Sequence, residues 1–271
     1  MILKAIPLLV LFSGAVAQVP PGRNNRSFES FEVATIKLVK PEDVRAPRYI
    51  RMESAHRFIV KNTTVSGMIA AAFNLNQNMI SGGPEWMTAG RFDVVALTPG
   101  DERPTLDDQM RMLRRLLTER FKLTFRTEKK KLPVYVLTVA KGGSRLSPDT
   151  VPQDQSPLLT PTLFPAASGG IDHVLIRGRN ATVPQLASIL QRAVTDRPVI
   201  DNTGMQGRYN FDLEWTPDDS QFGGTLPFGA PDSGKPGLYT AIEQQLGLMF
   251  NSTKRDVETL IVEGLEQPSG N

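Results

Sequence analysis

The chain contains no cysteine in its 271 residues. No disulfide can brace the fold, and thiolate catalysis, Cys-ligated zinc and iron–sulfur clusters are excluded. Histidine is scarce as well: His56 and His173 are the only two, and neither lies in an H-x-x-x-H or H-E-x-x-H pattern that would prepare a metal site. The serine-hydrolase string G-x-S-x-G is missing, as is S-x-x-K. An excess of one charge is missing too. The formal net charge is only +3, too small an excess to argue for the concentrated basic face that nucleic acid requires. Beyond the N-terminus no apolar run is long enough to span a bilayer, which predicts no transmembrane segment in a mature chain.

What is present is an ordinary globular composition, 40% hydrophobic and 22% charged, which argues against disorder and supplies a sizeable core without covalent staples. Residues 1–17 resemble a signal peptide. Lys4 gives the positive start, Ala5 to Gly14 the short apolar stretch, and Ala15-Val16-Ala17 the small-x-small cleavage site. Cleavage would leave Gln18 first. A hydrophobic strand or an uncleaved anchor is the competing reading.

The rest of the chain reads as α+β, mainly antiparallel sheets packed with helices. Residues 18–56 form a leader and first strand, with the strand at Phe31 to Ile36. Residues 57–142 form a first unit. It has a strand from Arg57, then a helix whose Val65, Met68, Ile69, Ala72 and Phe73 share one face. A strand follows over Arg91 to Leu97, and a second helix opens at Thr105 with acids first and arginines last. Two strands are expected next, Phe121 to Thr127 and Val134 to Ala140, with a basic turn at Lys129 to Pro133 between them. Residues 143–172, rich in Pro, Ser, Thr and Gly, read as a linker. Residues 173–271 repeat the order. Asn62-Thr63-Thr64-Val65 returns as Asn180-Ala181-Thr182-Val183, Gly90-Arg91-Phe92 as Gly207-Arg208-Tyr209, Phe121 to Phe125 as Leu246 to Phe250, and Val134 to Val139 as Val257 to Val262. The first three offsets are 118, 117 and 125 positions. This near-constancy predicts an internal duplication of a strand–helix–strand–helix–strand–strand unit, with a cleft between units as the place for a ligand.

Several constellations invite chemistry. Gly229 to Lys235 fits G-x-x-x-x-G-K, but Pro236 replaces the magnesium-holding hydroxyl and no buried strand precedes it, so an exposed loop is expected. His56 and His173 are 117 positions apart and could form a paired metal or acid–base site at the unit interface. Two ordinary strand-end histidines are the plainer reading. Asp107-Asp108 and Asp218-Asp219 fit caps and turns. Trp86, after Gly82-Gly83-Pro84-Glu85, and Trp215 are expected to anchor cores rather than ligands. Arg126 to Lys131 could meet an anionic surface, or be a solvated turn without the aromatics of a nucleic-acid site. Asn62 and Asn180 look like glycosylation triplets but read as helix caps.

The ordered strings F-E-V-A-T-I-K, N-x-T-V, G-G-P-x-W, G-R-F-D-V, L-L-T-E-R-F-K-L, L-P-V-Y-x-L-x-V-A-K-G-G, R-P-V-I-D-x-T-G-x-x-G-x-Y-x-F-x-L-E-W-T-P and Q-L-G-L span most of Ser30 to Gln267. They resemble a soil-associated exported family expanded in acidobacteria, a domain of unknown function. The resemblance supplies no catalytic residue. Related segments resemble parts fused to a membrane metallopeptidase of the antibiotic-sensor type, which implies sensing or binding outside the membrane. The expectation is therefore an exported, periplasmic or extracellular, non-enzymatic binding or interaction module, with envelope sensing as its role and an envelope or extracellular ligand or protein as its partner. A secreted hydrolase with a dispersed active site is the alternative. No catalytic, cofactor-binding or metal residue is assigned, and no cofactor is called for.

Overall fold

The computed structural model describes residues 28–44, 47–100, 102–150, 158–167, 169–224 and 234–268. The signal-peptide stretch and the Gln18–Arg26 leader lie outside the described residues. The fold is α+β, with mainly antiparallel sheets. Its first half runs β1 (Val33–Leu38), β2 (Tyr49–Met52), β3 (Arg57–Thr64), α1 (Val65–Ala72), β4 (Ile80–Gly82), α2 (Trp86–Ala89), β5 (Arg91–Leu97), α3 (Leu106–Arg120) and β6 (Thr124–Val139). The second runs β7 (Ser147–Pro148), β8 (Leu158–Pro165), β9 (Ile171–Ala181), α4 (Val183–Ile189), β10 (Val199–Asp201), β11 (Tyr209–Trp215), α5 (Leu238–Leu246) and β12 (Leu248–Gly264). Each half builds an antiparallel sheet of one order, β1-β5-β3-β2 and β7-β11-β9-β8.

The local chemistry also repeats. The Thr64 hydroxyl caps α1 by accepting from the Gly67 N–H at 3.1 Å. Thr182 and Gln185 close a reciprocal capping box on α4, and Thr105 with Asp108 does so on α3. Asn62 and Asn180 are not caps, as the sequence had suggested. They sit two residues earlier with φ of 50° and 52°, in the left-handed region that Asn tolerates better than most residues. The Asn62 N–H donates to Asp93 Oδ1 at 2.8 Å and the Asn180 N–H to Asn210 Oδ1 at 3.1 Å. Arg91 donates to the Asn62 carbonyl and Arg208 to that of Asn180.

A third sheet joins the halves, in the order β10-β6-β12-β4. β6 and β12 pair antiparallel along their whole length, from Val139↔Leu248 to Thr124↔Gly264. β4 lies parallel to β12, and β10 parallel to β6. Each half thus lends its short strand to the long strand of the other. The cores follow suit. The first gathers Phe58, Met68, Ile69, Leu113, Leu117 and Phe121 with Leu260 and Val262 of β12. The second gathers Ile176, Leu186, Leu190, Trp215 and Ile242 with Tyr135 and Leu137 of β6. Asn76 Nδ2 adds bonds to the carbonyls of Gln191 (2.8 Å) and Thr195 (3.0 Å).

Two expectations are corrected. Lys129 to Pro133 is no turn: β6 is one strand of 16 residues and β12 one of 17. Pro133 is tolerated because of strand parity. The Tyr135 N–H donates to Pro198 O across the β10 edge, so residue 133, two positions back, turns its missing donor to that same edge, where no described residue pairs with it. The segment 143–172 is more than a linker. β7 and β8 lie in it, and β8 pairs with β9 from Leu158↔Arg179 to Pro165↔Ile171. β8 borders the sheet, where Pro161 and Pro165 cost no ladder bond on the outer side.

Candidate functional site

The two histidines are not brought together. His56 lies at the rim of the first sheet, its carbonyl accepting from the Thr98 N–H. His173 belongs to the second. Its Nδ1 is 2.7 Å from Asp172 Oδ2, its Nε2 is 3.1 Å from Glu214 Oε1, and its ring stacks on Phe164 with centroids 4.4 Å apart. Glu214 is held further by Lys235 Nζ at 2.6 Å, while Gln245 brackets its backbone N–H and C=O. Both ring nitrogens face carboxylates. The group ties β9, β11 and α5 to the chain at Lys235. Lys235 is thus an ion-pair partner; residues Gly229 to Ser233 of the phosphate-loop-like string lie outside the described residues. Among the described residues no His/Asp/Glu cluster is arranged to hold a metal.

Four other singled-out residues, Asp108, Asp218, Trp215 and Trp86, have partners within the fold. Asp108 closes a cap, and Asp218 accepts from Ser220 and Gln221 in a turn. Trp215 is fully buried with its indole N–H on Gln221 Oε1 at 2.6 Å. Trp86 is half-buried and meets Phe92 edge-on.

The feature that spacing did not reveal is the middle of the β6–β12 ribbon. Alternation puts Tyr135, Leu137, Leu248 and Phe250 on the same face as Leu260 and Val262. The second core covers one end of that face and the first core the other. Between them Lys129, Lys131 and Pro133 of β6 and Lys254, Asp256 and Glu258 of β12 are all exposed. On the opposite face Lys130, Leu132 and Val257 are half-buried and Thr259 is buried.

At the second-half end of the bare stretch lies a cavity of about 230 Å³ lined by Asn78, Leu132, Pro133, Asp196, Arg197 and Pro198. Residues of both halves meet here, and the Asn78 amide donates to the Asp196 carbonyl. Beside it runs a chain of hydroxyls. Tyr239 donates to the Tyr135 hydroxyl at 2.6 Å, which donates to Asp196 Oδ1 at 3.1 Å. Arg197 Nε holds the other Asp196 oxygen at 3.1 Å, its Nη1 reaches Ser252, and its guanidinium lies over the Tyr135 ring. Burial first, then the Tyr239 hydroxyl, push the Tyr135 pKa well above the usual tyrosine value. The hydroxyls are acceptors and donors held in place, and Arg197 and the lysines supply cations.

Over residues 66–265 the chain matches the family described as Protein of unknown function (DUF3738), and it belongs to that family. No curated protein and no solved structure matches it. Among the described residues no helix is long and apolar enough to cross a membrane.

Proposed function

We propose that the protein is an exported, non-enzymatic binding module, built from two copies of one unit, whose contact surface is the bare middle of the β6–β12 ribbon. One observation carries this reading. The two cores use the two ends of one face of the ribbon, and that face is left open between them, with Lys129, Lys131, Lys254, Asp256 and Glu258 exposed on it. The signal-peptide-like residues 1–17 support action outside the cytoplasm, in the recognition role that envelope sensing requires. The test is capture from envelope extract by the chain beginning at Gln18, beside Lys131→Glu/Lys254→Glu in the same chain. A partner retained by the first and lost by the second, at equal thermal stability, supports the reading. Equal capture by both, or none by either, refutes it. Soluble cytoplasmic protein that still begins at Met1 would remove the export part.

A further inference from the structure

We propose that the open edge of β6 from Glu128 to Leu132 receives an extended acidic peptide as an added strand. This rests on the ribbon's middle being the contact surface and names the class of partner.

The backbone is the first reason. β10 pairs with β6 only at Tyr135 to Leu137. On the same side, no described residue pairs with β6 before Tyr135. The Tyr135 N–H and the Leu137 carbonyl both bond across this edge, to Pro198 and Asn202. Parity therefore points the N–H and C=O of Lys129 and Lys131, and the carbonyl of Pro133, outward along it. A peptide laid there would prolong the line of β10 and find five backbone groups ready to pair.

Charge is the second reason. β6 carries Lys129, Lys130 and Lys131 in a row, and none of the three has an ion-pair partner among the described residues. Glu128, the acid in this stretch, is engaged by Arg126 at 3.1 Å. Asp256 and Glu258 stand across from Lys131 and Lys129 on β12 without closing an ion pair. On the corresponding edge of β12, Lys254 and Arg255 are offset by Asp256 and Glu258. An added strand on β6 would place its side chains beside Lys129 and Lys131 on one face and Lys130 on the other, so acids on both faces would be matched. The cavity beside Leu132, Pro133 and Arg197 lies where this line meets β10, with room for the peptide's end.

Lysines on an open edge also guard against unwanted pairing. The two roles separate by experiment. A fluorescent peptide of alternating glutamate and valine is titrated into the chain beginning at Gln18, followed by anisotropy. The same peptide N-methylated at every second residue keeps its charge but cannot donate to the edge. Saturable one-to-one binding is expected, weakened about tenfold or more by N-methylation of the edge-facing amides. Lys129→Glu/Lys131→Glu, at exposed sites, should weaken it by roughly two- to tenfold or more. No binding, equal binding of the methylated peptide, or indifference to charge reversal would each overturn the proposal. Should the variant fail to fold, the two peptides on the unaltered chain still decide. If the peptides fail while envelope capture still depends on Lys131 and Lys254, this inference falls and the binding-module reading stands.

Discussion

Exchange of β4 and β10 makes a specific demand on unfolding. The first core includes Leu260 and Val262 from the second half, and the second includes Tyr135 and Leu137 from the first. Neither half can lose its packing without stripping a strand from the other. Ile69→Ala and Leu186→Ala remove side chains with no solvent exposure, and such truncations cost about 2–5 kcal/mol. For a chain of this size that lowers the midpoint by roughly 5–15 °C. The two tryptophans report separately, Trp86 beside the first core and Trp215 within the second. With Trp86 replaced by Phe, fluorescence follows Trp215 alone. Ile69→Ala, in the other half, should still shift the Trp215 transition by the full amount, and calorimetry should show one peak. If Trp215 melts at its original temperature while the first half melts early, the halves are independent and the exchange has no energetic weight.

The alkaline limb of stability should carry a signature of Tyr135. Its raised pKa means the folded state keeps a proton that the unfolded chain sheds near pH 10. Its contribution is therefore complete below about pH 10 and lost as pH rises through the folded value; between about pH 9 and 11 the midpoint should fall more steeply in the native chain than in Tyr135→Phe, and equal slopes would contradict the assignment. Gly178 lies opposite Phe211 on the neighbouring strand, and a Cβ there would fall 2.3 Å from the ring. Gly178→Ala should cost about 1–3 kcal/mol or more in urea denaturation, and Phe211→Leu in the same chain should recover part of it; a neutral Gly178→Ala would show that the ring has room to move.

How much of this was legible in the sequence depended on the range of the interaction. The helices were, because Thr64, Thr105 and Thr182 cap within three residues and Val65, Met68, Ile69 and Ala72 recur within two turns. The α+β class followed from the same local patterns. β6 was not, since Lys-Lys-Lys-Leu-Pro carries every local mark of a turn. It is a strand because β12 pairs with it along its length and because the defect of Pro133 falls on an unpaired edge. β8 was hidden likewise by prolines that only a border strand tolerates. The His173 network was out of reach, as Glu214 arrives from another strand and Lys235 from beyond it. The candidate surface is harder still to read, because an open edge is defined by what does not pair with it. Yet the register does let one residue choice be explained. The offset of 125 that relates Phe121 to Leu246 also relates Lys131 to Asp256, and these two stand directly opposite each other in the ribbon. A residue at such a position in two identical units would face its own copy, and Lys facing Lys repels. Asp256 removes that repulsion at the centre of the ribbon while Lys129, Lys130 and Lys131 stay together on β6. The two edges therefore differ where symmetry alone would have made them the same, and a strand-adding partner could tell them apart.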